Sequence, residues 1–221
     1  MSLTDQILDH IAPRNVRCSL CNGEEEMALS GNGLCRACNE KLAACEDIPA
    51  RGTLDRVLAP YLYAAPADHL IQMFKYSGRA DAAYPLALGM AGCIKGAELM
   101  DFAVTAVPLH PPRRLSRGFN QAEILARELI KHTGNVYISG LFRRVRNTPH
   151  QTGLSEKSRQ SNLENAFKLR RKGSAKGLKI ILIDDVYTTG ATMHECAAVL
   201  RASGASRVVA LCAAAVQTDK R

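Results

Sequence analysis

Lys179-Ile180-Ile181-Leu182-Ile183-Asp184-Asp185-Val186-Tyr187-Thr188-Thr189-Gly190-Ala191-Thr192 is the stretch on which the fold of this chain turns. The apolar residues Ile180 to Ile183 predict a strand buried on both faces, as in a parallel sheet covered by helices. Such a strand brings Asp184 and Asp185 to its carboxyl edge, where open α/β sheets bind ligands. A short loop of small hydroxylated residues around Gly190 then opens a helix. That turn aims backbone N–H groups and the positive end of a helix dipole at one spot, which suits a phosphate monoester. Gly190 permits close approach, and Thr188, Thr189 and Thr192 add hydroxyl donors. The adjoining carboxylates suit a sugar diol or a metal, and a phosphate beside a diol is a ribose 5-phosphate. The competing account, an ordinary threonine-capped strand-to-helix junction, leaves the double acid unexplained. No G-x-x-x-x-G-K-[ST] occurs, and His194-Glu195 lacks the second histidine of a zincin.

Outward from this stretch the pattern alternates. Val57 to Ala64 reads as a strand, Asp68 caps a helix carrying Leu70, Ile71 and Phe74, and Ala80 to Ile94 forms a second helix. Phe102 to Val107 is a buried strand that ends in a polar loop at Pro108, and Asn120 to His132 is a helix with Ile124, Leu125 and Leu129 on one face. After the strand Lys179 to Ile183 come a helix from Ala191 to Arg201 and a closing strand from Arg207 to Ala213. This order predicts right-handed crossovers and a mostly parallel α/β sheet. Before it, Leu3, Ile7, Leu8 and Ile11 share a helical face that Pro13 stops, and Asp47 to Gly52 punctuates like a linker. The expected organisation is a helix and four-cysteine segment over 1–48, a linker over 49–56 and the main domain over 57–221.

The apolar runs Leu86 to Ile94 and Val208 to Val216 are nine residues each, against the roughly 18–20 that a membrane span requires. Met1 to Asp5 has neither a basic nor an apolar stretch, which predicts no signal peptide and a cytoplasmic location. The formal charge is +8, unevenly spread. Residues 1–60 hold six basic and nine acidic residues, whereas Arg113 to Lys179 hold 16 basic and four acidic. Such an excess suits polyphosphate or nucleic acid, or else is a solvated face. Arg113 and Arg117, after the loop at Leu109 and His110, are candidate counter-charges for pyrophosphate, because the arginine fork bonds phosphate oxygens bidentately. Asn147 to Ser161 has the composition of a lid or of a plain surface loop.

Cys18-x-x-Cys21 and Cys35-x-x-Cys38 are separated by 13 residues in an acid-rich segment. In a reducing cytosol the spacing predicts a four-thiolate zinc site, since each turn presents two thiolates to one tetrahedral ion. Cys45 follows too late for the pairing, and Cys93, Cys196 and Cys212 lie in apolar stretches as core residues.

The strand, double acid and Thr-Thr-Gly-Ala-Thr turn resemble the signature of the type I phosphoribosyltransferases. The resemblance implies phosphoribosyl pyrophosphate as ligand, with Mg²⁺. It assigns the ribose hydroxyls to Asp184 and Asp185 and the 5-phosphate to Thr188, Thr189, Gly190, Ala191 and Thr192, with Val186 and Tyr187 between. Ala106-Val107-Pro108-Leu109-His110, Arg113 and Arg117-Gly118-Phe119-Asn120-Gln121-Ala122-Glu123 are similar to the ComF family, named for a competence protein of DNA uptake. So are His69 to Tyr76 with Arg79, the run from Arg146 to Phe167, and the paired cysteines. Ala106 stands where that family commonly has proline. The resemblance implies a zinc-binding segment joined to a type I phosphoribosyltransferase-like domain acting in natural transformation.

Three functions remain open at this level. One is transfer of a phosphoribosyl group with release of pyrophosphate, which needs positioned groups and no covalent nucleophile. Another is an inactive protein of the same fold that binds single-stranded DNA through Arg143, Arg144, Arg146 and Arg159, in contact with the DNA-uptake machinery. The third is a sensor of phosphoribosyl pyrophosphate. With aromatic residues at 5% and no tryptophan, phosphate contacts rather than base stacking would dominate DNA binding.

Overall fold

The computed structural model describes residues 17–24, 31–46, 48–50, 52–76, 80–109, 119–145, 166–171 and 173–217. Strands β1 (Arg56–Leu58), β2 (Tyr61–Leu62), β3 (Ala103–Ala106), β6 (Lys179–Tyr187) and β7 (Arg207–Ala215) form one parallel sheet. Its order is β1-β7-β6-β3, with β2 also on β7. Strands β4 (Phe142–Arg144) and β5 (Phe167–Leu169) make a separate antiparallel ribbon.

Strand pleating sends alternate side chains of β6 and β7 to opposite faces. Ile180, Leu182, Val208 and Ala210 pack on helix α5 (Ala191–Ala202), through Met193, Cys196 and Leu200, and on Phe142 and Phe167 of the ribbon. Ile181, Ile183, Val209 and Leu211 face α2 (Ala67–Tyr76), α3 (Ala83–Gly96) and α4 (Gln121–Thr133). Both faces are therefore dry, the condition under which a parallel sheet is stable. Helix α4 starts at Asn120, whose side-chain oxygen accepts from Ala122 N–H at 3.2 Å. It stops at Gly134, whose φ of 74° is the left-handed conformation that glycine adopts without steric cost.

The structure differs from the sequence expectation at several places: Asp68 lies inside α2 rather than capping it, and the helix expected from Ala80 is a 3-10 turn at Ala80–Ala82 followed by α3. The strand expected over Val57 to Ala64 is two short strands broken at Ala59-Pro60, because Pro60 has no N–H for a ladder. Strand β6 runs past Ile183 to Tyr187, carrying both acids within it, and β7 pairs along that extension. The β4–β5 ribbon has no counterpart in the expected element order. The amphipathic stretch Leu3 to Ile11 and the candidate lid Asn147 to Ser161 lie outside the described residues. Ala44, just before the punctuated segment, and Ile48 within it form antiparallel bridges to Tyr61 and Val57. Among the described residues no helix is long and apolar enough to cross a membrane.

Candidate functional site

At the carboxyl edge of the sheet β6 emerges from the core. Asp184, next after Ile183, turns to the other face, that of α5 and the ribbon, in electrostatic contact with Cys196 and Cys212. Asp185 turns to the opposite face, where Lys75 Nζ of α2 meets its Oδ2 at 2.8 Å. The alternation then slips: Val186 packs with the α2 face and Tyr187 with the α5 face. Asp185 N–H donates to Asp184 Oδ1 at 2.9 Å. Burial first, and the neighbouring Asp185 second, push the Asp184 carboxyl up to about 7, against the opposing pull of that N–H, of Lys75 and of Arg144. For Lys75, burial works against the charge, yet Asp185 lifts it above the ordinary lysine value.

Beyond Tyr187 the chain turns through Thr188, Thr189 and Gly190 into α5. Gly190 has φ 74°, and a Cβ there would lie 2.5 Å from Tyr187 Cζ. Only glycine fits both the left-handed backbone and the tyrosine ring lying on it. Tyr187 Oη lies 3.4 Å from His194 Nε2, and Thr53 Oγ1 donates to His194 O at 3.1 Å, fixing the first turn of α5. The first N–H groups of a helix lack intrahelical partners, so the opening of α5, from Gly190 to Met193, presents donors five to eight residues beyond Asp185.

The loop after β3 begins at the same edge. Val107 N–H donates to Ile183 O at 2.9 Å, and Asn120 Nδ2 donates to Val107 O at 3.0 Å, which ties the loop's two ends together. Leu109 is half-buried there. His110, Arg113 and Arg117 lie outside the described residues, as do Arg146 and Arg159. The structure separates the two remaining ribbon arginines. Arg143 is exposed, whereas Arg144 is half-buried with its guanidinium 5.2 Å from the Phe167 ring centroid and its charge felt by Asp184. Arg144 and Lys75 are thus site residues that the sequence did not single out as such. Their link to the acids is tertiary, and no local pattern in the sequence carried it.

The four cysteines converge. Sulfur atoms of Cys18, Cys21, Cys35 and Cys38 all lie within 4.8 Å of one another, with Cys21 and Cys35 Sγ 3.8 Å apart. A tetrahedral ion with metal–sulfur bonds of about 2.3 Å needs sulfur separations of about 3.8 Å, so the residues fit a thiolate metal site. Cys18 carries a tight turn in which Asn22 N–H donates to Cys18 O at 2.8 Å, and Gly23 N–H points to Cys21 Sγ at 3.4 Å. Burial opposes ionisation of Cys18, but backbone donors at Cys21, Cys35 and Leu20 bring it down to about 7. The second pair opens the short helix α1 (Arg36–Glu40). Tyr84 of α3 anchors this segment by donating to Gly31 O at 3.2 Å. Cys45 lines a cavity with Cys93 instead, while Cys196 and Cys212 are fully buried.

The raised Asp184 carboxyl sets a pH dependence. A folded-state value near 7 against 3.8 in the open chain gives stability that is full below about pH 4 and is lost as pH rises through 7. Asp184→Asn should remove that loss. Its Tm without ligand should match the parent at pH 4 and exceed it at pH 8, by about 2–4 °C per kcal/mol relieved. Parallel thermal melts across pH check this, and equal slopes for the two proteins would contradict it.

The sequence matches the phosphoribosyl transferase domain family over residues 115–221, which span β4 to β7 and the acid-bearing turn. It is 28% identical over 218 residues to competence protein F of Haemophilus influenzae, covering 88% of this chain and 94% of that protein. It is 31% identical over 220 residues to DNA utilization protein YhgH of Salmonella typhimurium, covering 88% of this chain and 95% of that protein. Competence protein ComFC of Bacillus subtilis is 36% identical over 103 residues, 47% of this chain and 40% of its own length. With the parallel sheet, the turn after β6 and the four-cysteine cluster in place, the chain belongs to the family of competence protein F and DNA utilization protein YhgH, built on a phosphoribosyltransferase-type fold.

Proposed function

We propose that this chain binds phosphoribosyl pyrophosphate, with Mg²⁺ carried on its pyrophosphate, and acts in the uptake or use of DNA. One observation carries the reading: at a single sheet edge, β6 ends in two adjacent acids, one of them ion-paired to Lys75, and the next turn opens a helix over a left-handed glycine. Asp184 and Asp185 accept from the ribose hydroxyls, and the N–H groups and hydroxyls of Thr188 to Thr192 hold the 5-phosphate. Mg²⁺ neutralises charge on the pyrophosphate. The chain's own part in group transfer is to orient the sugar and exclude water while the bond to pyrophosphate breaks and one to an acceptor forms.

Saturation at about 100 times Kd should stabilise the fold by roughly 2.7 kcal/mol, read as a raised Tm. Joint replacement of Asp184 and Asp185 by Ala should abolish the shift, and a double variant that responds like the parent would refute the site.

The cysteine cluster supports a structural zinc ion, worth several kcal/mol of folding free energy in small thiolate segments. Protein prepared without chelator should hold one zinc per chain, and chelation should lower Tm. Less than half an equivalent by elemental analysis would exclude it.

A second reading, binding of single-stranded DNA, is favoured by the ribbon. Arg143 and Lys168 are exposed and directly opposite across β4 and β5, a like-charge pairing that is unfavourable without an anion. Counterion release predicts a slope of log affinity against log salt of about −0.7 per phosphate contacted. Charge reversal at Arg143 and Lys168 should flatten the slope of a labelled oligonucleotide's anisotropy titration, and Asp184→Ala should not.

A further inference from the structure

We propose that Lys75 is the positioning residue of the sugar-diol end of the site, holding the Asp185 carboxylate at the strand edge in the orientation in which it accepts from a hydroxyl. The proposal deepens the sugar-phosphate reading and rests on it. Lys75 Nζ and Asp185 Oδ2 are 2.8 Å apart, with side-chain exposures of only 18% and 16%. A pair so far withdrawn from water is unlike an exposed ion pair, whose partners drift and contribute little. Desolvation of both charges consumes most of what their attraction returns, so a buried pair is weak grounds for a stability role. A geometric role is the better explanation.

The framework around Lys75 is stiff. Leu70, Ile71 and Phe74 of α2 are fully buried, and the Phe74 ring packs 6.2 Å from that of Phe119, where the loop after β3 rejoins α4. Lys75 is in the last turn of α2, where the carbonyl end of the helix favours a cation. The ammonium takes one carboxylate oxygen of Asp185. An ionised carboxylate has about four acceptor positions, so capacity remains for a ligand hydroxyl. The same ammonium acts on Asp184, and Tyr63 is the further titratable group whose charge reaches Lys75. Lys75 thus fixes Asp185 by direct contact, from the α2 side, at the edge where the threonine turn begins, while Asp184 feels its charge across the strand.

The test compares phosphoribosyl pyrophosphate with inorganic pyrophosphate, both with Mg²⁺, by calorimetric titration of the full chain, Lys75→Met and Lys75→Arg. Loss of one partner of a desolvated charge pair should weaken phosphoribosyl pyrophosphate binding roughly tenfold or more in Lys75→Met. Lys75→Arg should restore most of it, and pyrophosphate, which has no diol, should bind all three alike. If Lys75→Met proves unstable, Lys75→Gln serves the same comparison. Unchanged affinity for phosphoribosyl pyrophosphate in Lys75→Met overturns the proposal and leaves the sugar-phosphate reading standing. An equal loss for both ligands marks a structural role and also overturns it. A parent chain that does not bind phosphoribosyl pyrophosphate overturns the reading and the proposal together.

Discussion

Strand β6 is hydrogen-bonded to β7 on one side and β3 on the other, and apolar side chains cover both of its faces. A shift of one residue along it would exchange the side chains of two separate cores, so its register is held from four directions. That rigidity is passed to whatever follows Ile183. Asp184 and Asp185 leave the core at fixed heights and on fixed faces, and the turn to α5 must start where Tyr187 stops. The carboxylates sit where water is scarce because the strand that carries them cannot move outward.

This arrangement explains why charge is distributed as it is around the edge. A lone half-buried carboxylate would take up a proton, and two in sequence are worse. The fold answers with a cation from each layer: Lys75 from the helical side at Asp185, and Arg144 from the ribbon side within reach of Asp184. The Asp184 carboxyl is still pushed up to about 7, so its charge is the more easily recruited by a ligand bearing positive charge or hydroxyl donors.

Much of this was legible in the sequence, and the parts that were not share a cause. The run Ile180 to Ile183, the acid pair and the threonine-glycine turn are contiguous, so local pattern was enough to place them, as it was for the paired cysteines. The extension of β6 to Tyr187 escaped because Asp184 and Asp185 are poor strand formers, and only the apolar stretch Cys212 to Ala215 on β7 holds them in the ladder. The β4–β5 ribbon is made of three-residue strands separated by 22 residues, too short for periodicity to register. Arg144 read as one of a basic cluster because its neighbours are basic. Its half-buried position beside Phe167 is a property of the ribbon's pairing. Lys75 lies in the first half of the sequence and Asp185 in the second, a contact that no window along the chain contains.

The strand order has a consequence for how the chain is made. The central strands β6 and β7 come last in sequence, and β1 and β2 find their only sheet neighbour among the described residues in β7. The bond from Val208 N–H to the Asp55 carboxylate already spans 153 residues. During synthesis the early strands and the apolar faces of α2 and α3 therefore wait, with their edges unpaired, until nearly the whole domain has left the ribosome. Such a non-local topology folds slowly and is open to aggregation in the interval. The cysteine segment is different: its four thiols lie within 21 residues of one another in sequence, so its own turns can organise before the sheet is complete, and the tie from Tyr84 to Gly31 waits for α3.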